Sequence, residues 1–95
     1  MAYDAFLSEW ADSFIERLSA ESRTLWNAAL DEFLETPVNE STVGYSESGV
    51  PDARATEIGL FVFIWRFENP EVIAIANIRW GPASPAGNPD LATRL

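Results

Sequence analysis

The chain contains no cysteine, no histidine and no lysine. Without cysteine and histidine there can be no disulfide, no thiolate chemistry, no Ser-His-Asp or Cys-His catalysis and no ordinary zinc site. All six basic residues are arginines, spread along the chain. Binding to a phosphate backbone needs clustered Lys and Arg, so we expect no unassisted nucleic-acid binding. We also expect no cofactor and no bound metal.

Long apolar runs are missing as well. No stretch approaches the roughly 20 apolar residues that a membrane-spanning helix needs, and no basic start precedes an apolar segment. The sequence therefore predicts a cytoplasmic protein that does not interact with membranes.

The composition is that of a packed, acidic globule. Hydrophobic residues make up 47% of the 95 residues, which is enough for one domain with a modest core. We predict a domain over residues 1–80 and a Pro/Gly-rich tail over 81–95. The net charge is −9, of which −7 falls within residues 1–40. Two interpretations stay open: a high-salt compositional bias, or an acidic surface that docks on a basic partner or mimics nucleic acid.

The stretch Ala55–Trp80 predicts an antiparallel hairpin. Its two apolar runs are rich in Val, Ile, Phe and Trp, and they flank the break Glu68-Asn69-Pro70-Glu71. Alternation along the first run places Ile58, Leu60, Val62 and Ile64 on one face and Phe61, Phe63, Trp65 and Phe67 on the other. Along the second run it places Val72, Ala74, Ala76, Ile78 and Trp80 on one face and Ile73, Ile75, Asn77 and Arg79 on the other.

The first half of the chain predicts helices. Residues 3–8 fit a short strand or the start of a helix, and we favour a strand over 2–7 followed by a helix over 9–18 that begins after Ser8. Its apolar face comprises Trp10, Ala11, Phe14, Ile15 and Leu18. A second helix over 20–34 follows, and Pro37 ends it. Ser41–Tyr45 could form a short edge strand.

The resulting order, β-α-α-β-β-β, predicts an α+β fold with a helical hairpin packed on a twisted antiparallel sheet. The stretches YDAFLSEWADSFIERLSAESRTLWNAALDEFLETP and ARATEIGLFVFIWRFENPEVIAIANIRW resemble the RelE/ParE toxin superfamily in element lengths and apolar positions. This resemblance implies ribosome-dependent mRNA cleavage or gyrase poisoning, with a cognate antitoxin that covers the toxin.

The resemblance also implies a site on the concave face of the sheet. There, cations would hold the scissile phosphate and an acid–base pair would move the 2′-hydroxyl proton. Arg54 and Arg79 match basic positions of the family and are the candidate catalytic residues. Glu57 and Val62 stand where basic residues are usual. The alternative is that both arginines are ordinary surface or ion-pairing residues.

Other residues are candidates for partner binding. Arg66 and Trp80 have the composition of interface hot spots, whereas Trp65 is expected in the core. Asp31, Glu32 and Glu35 crowd the negative end of the second helix. They form a solvated face or a docking surface for a basic partner; a Mg²⁺ site is the least favoured interpretation.

The function that we predict is that of a RelE/ParE-like toxin in a toxin–antitoxin pair. It would bind a macromolecular target with weak or absent nuclease activity; if it is an enzyme, it is a ribosome-dependent mRNA endonuclease. The alternative is a non-enzymatic acidic protein-binding module, such as a phage-type inhibitor or a nucleic-acid mimic. The antitoxin, or another protein, is the expected partner.

Overall fold

A five-stranded sheet with two helices on one face forms the fold. The computed structural model describes residues 2–45 and 51–82. The elements are β1 (Asp4–Leu7), α1 (Glu9–Glu16), α2 (Ala20–Glu35), β2 (Val43–Gly44), β3 (Arg54–Ile58), β4 (Phe61–Asn69) and β5 (Val72–Trp80). The strand order is β1-β5-β4-β3-β2, antiparallel throughout except that β1 runs parallel to β5. The predicted α+β fold is confirmed, with one strand more than expected. Residues 83–95, most of the predicted tail, lie outside the described residues.

Each helix begins at a serine cap. The Ser19 hydroxyl accepts a hydrogen bond from the Ser22 N–H at 3.1 Å at the start of α2. At the start of α1 the Ser8 hydroxyl accepts from the Ala11 N–H at 3.2 Å and donates to the Ala76 carbonyl. Ser8 thus caps α1 and also fixes it to β5. The favoured prediction for this region, a strand followed by a helix, is confirmed.

The prediction that the first run of the hairpin is one continuous strand is wrong at Gly59. Instead of one continuous strand, the chain turns at Gly59 and Leu60, and Ile58 pairs with Phe61 across the turn. Gly59 has φ of 59°, in the left-handed region where a side chain is strained. Because of this extra turn, Ile58 lies on the same face as Phe61 rather than opposite to it. The predicted turn at Pro70 is confirmed, since β4 ends at Asn69 and β5 begins at Val72.

The predicted faces of β5 are correct for Ile73 and Ile75 and then reverse. Ile64 pairs with Asn77 and Trp65 pairs with Ile75, which leaves Ala76 as an extra residue in a β-bulge. The alternation therefore shifts by one residue after the bulge. Ile78 joins the core at 2% exposure, and Asn77 and Arg79 lie on the opposite face.

Aromatic rings attach α2 to the centre of the sheet. The Phe63 ring stacks on Phe33 with centroids 4.3 Å apart and on Trp26 at 5.1 Å. Trp65 meets Phe33 edge-on at 5.5 Å. Such pairs contribute about 0.5–1.5 kcal/mol beyond the burial of their area.

The predicted core position of Trp10 is wrong, because this residue is 75% exposed. The buried stripe of α1 centres on Ala11 and Ile15. At 3.6 residues per turn, Trp10 lies roughly 120° round the helix from the centre of that stripe. It therefore lies outside the buried stripe of α1.

A fully buried threonine connects the core to the segment after α2. The Thr56 hydroxyl accepts from the Trp65 indole N–H at 2.9 Å and donates to the Pro37 carbonyl at 2.8 Å. It also lies 2.8 Å from the Thr42 hydroxyl. Every polar atom of this cluster has a partner, as burial requires.

Replacement of Gly59 tests the unexpected turn. Gly59→Ala should lower the free energy of unfolding by about 1 kcal/mol, because alanine is strained at positive φ. Gly44→Ala is the matched control: neither glycine has a neighbour within 4 Å of an added Cβ, but Gly44 does not have a left-handed φ. Its effect should stay within about 0.5 kcal/mol. Equal midpoints for the two variants in urea unfolding would contradict the turn.

Replacement of Thr56 tests the buried cluster. Thr56→Val keeps the shape but leaves the Trp65 N–H without its acceptor, so it should cost about 1–3 kcal/mol. Thr56→Ser keeps the hydroxyl and should cost about 0.8 kcal/mol for the lost methyl. Thr24→Val, which removes an exposed hydroxyl from α2, should change stability by less than about 0.5 kcal/mol. If Thr56→Val were no worse than Thr56→Ser, the hydrogen bonds would contribute nothing.

Candidate functional site: the open face of the sheet

The face of the sheet opposite the helices, here called the open face, carries the candidate site. The register places Glu57, Val62 and Arg79 in one row across β3, β4 and β5. Val62 follows the core residue Phe61 along β4, so its side chain points away from the helices. Its cross-strand partners Glu57 and Arg79 point to the same side. Glu57 and Arg79 are exposed, and Val62 lies half-buried between them.

Arg79 is positioned by an aromatic ring. Its guanidinium lies 5.5 Å from the centroid of the Tyr45 ring, within cation–π distance. Tyr45 follows β2 directly, and its N–H donates to the Ala53 carbonyl at 2.9 Å. Ile64, whose β4 position shares this face, is only 1% exposed. Tyr45 is a site residue that the sequence prediction missed. The one signal for it was its position at the end of the possible edge strand.

Arg54, the other predicted catalytic residue, lies on the opposite face. It pairs with Trp65, and its guanidinium lies 5.6 Å from the Trp65 ring and 5.4 Å from the Phe67 ring. Trp65 belongs to the core beneath the helices. The structure therefore does not bring Arg54 and Arg79 together, and one phosphate could not contact both.

Arg66 shares the open face with Arg79. It lies further along β4, pairs with Ala74, and forms a salt bridge with Glu68 at 3.0 Å. Beside it is a groove of about 520 Å³ with Phe6 and Pro51 among its lining residues. Arg66 therefore has a place on an accessible surface, as a partner-binding residue needs.

Trp80 lies on the helix side. Its ring packs 5.3 Å from Phe61 and 5.3 Å from Phe14, and the residue is half-buried. Trp80 thus packs against the margin of the core. Its predicted role in partner binding stays a prediction.

The acidic residues of α2 are all on the surface. Asp31, Glu32 and Glu35 are exposed, and none of them forms a salt bridge with another residue in the described part of the chain. Within residues 2–45 and 51–82 no group of three or more carboxylates converges as a metal site would require. No helix in these two ranges is long and apolar enough to cross a membrane.

The open face offers limited chemistry. A guanidinium within cation–π distance of a phenol ring can bind an anion or a planar group, and it can stabilise developing negative charge. Val62 adds an apolar surface in the same row, and Glu57 adds negative charge that would repel a phosphate. This combination suits binding more than proton transfer at a scissile phosphate.

Comparison with known proteins identifies the fold. No family model and no curated protein sequence matches the chain. Among solved structures, the toxin–antitoxin complex RelBE2 from Mycobacterium tuberculosis matches with a TM-score of 0.63 at 10% identity, covering 85% of this chain and 100% of that one. The archaeal RelE–RelB complex from Pyrococcus horikoshii gives 0.61 at 15%, covering 84% and 96%. The isolated RelE toxin from E. coli gives 0.60 at 18%, covering 99% and 100%.

These similarities confirm the expected fold. The chain has the fold of RelE toxins, and its sequence identity to the three structures is between 10% and 18%. At such identities the shared backbone says nothing about which side chains act.

Proposed function

We propose that the chain is a RelE-like toxin of a toxin–antitoxin pair that acts by binding a macromolecular target, with weak or absent nuclease activity. The fold supports the toxin class, since the similar structures are RelE toxins, alone or with their RelB antitoxins. An antitoxin is accordingly the proposed partner. The row of Glu57, Val62 and Arg79 is the observation that supports binding over cleavage.

The chemistry of RNA cleavage explains why that row matters. Attack by a 2′-hydroxyl needs cations on the phosphate and a group that takes up the proton, which contributes about 10²–10⁴-fold. Histidine, the side chain that ordinarily titrates near neutral pH, is absent from the chain, and so is lysine. Arg79 supplies one cation to the row, while Val62 and Glu57 supply none.

Binding of a target would use the arginines of the open face as contact points. Arg79 with Tyr45, and Arg66 beside its groove, give two arginine-centred contact points on one face. Arginine and tyrosine are the residue types that dominate binding energy at protein interfaces. A protein surface with acidic and apolar groups would fit this face better than a bare phosphate chain.

Induced expression of matched variants tests the proposal. The wild type should arrest growth while mRNA stays intact, and Arg79→Ala should relieve the arrest because the open face loses its contact. Arg54→Ala is the control on the opposite face: it should stay toxic and lose only about 0.5–1 kcal/mol of stability with its cation–π contacts. Growth curves, mRNA integrity and circular dichroism of the purified variants are followed together.

Two outcomes would contradict the proposal. Rapid mRNA cleavage by the wild type that Arg79→Ala abolishes would show that the open face is a nuclease site. Unimpaired growth with a folded, expressed wild type would remove the toxin function and favour the acidic binding module.

A further inference from the structure

A shallow apolar groove runs along α2, away from the open face. Leu25, Ala28 and Ala29 line it on the helix side, and Gly59 and Leu60 of the β3–β4 turn line it on the other. Its volume is about 260 Å³, and Leu25 is 46% exposed at its margin. An exposed leucine beside two alanines forms a surface that a second apolar element can cover.

The charged residues along this groove are all acidic. Glu32 lines it, and the spacing of Glu21, Leu25, Ala28, Glu32 and Glu35 places all five on one stripe of α2. The last turn of α2 contains no basic residue. Glu32 and Glu35 therefore lie at the negative end of the helix dipole without a compensating cation, which is unfavourable in the free protein.

We propose that this groove binds a basic amphipathic helix of a protein partner. Apolar residues of the partner at i, i+3 or i+4 spacing would cover Leu25 and Leu60, and its Lys or Arg residues would meet Glu32 and Glu35. A second copy of this chain is a poor occupant, because each copy has a net charge of −9. Nucleic acid and anionic lipid are repelled for the same reason.

This inference rests on the proposed function for the identity of the partner, the antitoxin, and it adds the charge and form of the docking segment. The groove lies beside the β3–β4 turn and the helices, whereas Arg79 lies on the open face. A partner at the groove therefore would not itself cover Arg79. Docking on α2 and action through the open face can be measured separately.

A synthetic peptide provides the probe. Because isolated helices shorter than about 12–15 residues are marginal, a labelled peptide of about 18 residues is used, with Leu at helical spacing and Lys elsewhere. A peptide of the same composition in scrambled order keeps the charge and loses the apolar face. Titration with the full chain by fluorescence anisotropy should show the amphipathic peptide binding at least about tenfold more tightly than the scrambled one.

Variants of the chain locate the binding. Glu32→Gln/Glu35→Gln should weaken binding of the amphipathic peptide by about tenfold, and Leu25→Ser by about fivefold. Glu16→Gln/Glu71→Gln, which removes two exposed carboxylates elsewhere, should change it by less than about twofold. Equal weakening by the two double variants, or equal binding of the scrambled peptide, would overturn the proposal, since both results mean unspecific attraction to an acidic protein.

The outcome is independent of toxicity. Specific binding of the peptide by a chain that does not arrest growth would support the groove and contradict the toxin function. Arrest of growth by a chain that fails the peptide test would support the toxin and overturn the groove.

Discussion

The stacking of Phe63 between Phe33 and Trp26 is the contact on which the rest of the structure depends. It attaches α2 to the middle of the central strand and so decides which face of β4 is covered. Once Phe63 faces the helices, its neighbours Val62 and Ile64 must face the other way. The packing of the core thereby determines the composition of the open face before any functional residue is considered.

The two arginines illustrate this dependence. Arg54 pairs with Trp65 and lies against aromatic rings on the covered side, whereas Arg79 pairs with Val62 and meets Tyr45 on the open side. A site built for phosphate cleavage would gather its cations on one face. Here Arg54 is in cation–π contact with rings on the covered side, and Arg79 lies on the open face without it.

The sequence predicted the elements well and their faces less well. Apolar spacing and the serine caps located both helices, and Pro70 located one turn. The turn at Gly59 was hidden because apolar residues continue on both sides of it. The bulge at Ala76 was hidden because it depends on pairing with β4 and on the Ser8 hydroxyl, which are contacts between distant residues. Tyr45 was missed for the same reason, since its role arises from a cation on another strand.

The separation of the two arginines is the central claim, and side-chain nuclear Overhauser effects test it most directly. We expect the Arg54 Hδ protons to show contacts with the Trp65 and Phe67 rings and upfield ring-current shifts, and the Arg79 Hδ protons to show contacts with the Tyr45 ring. Contacts of both arginines with one common set of open-face residues would contradict the account and restore a paired cationic site.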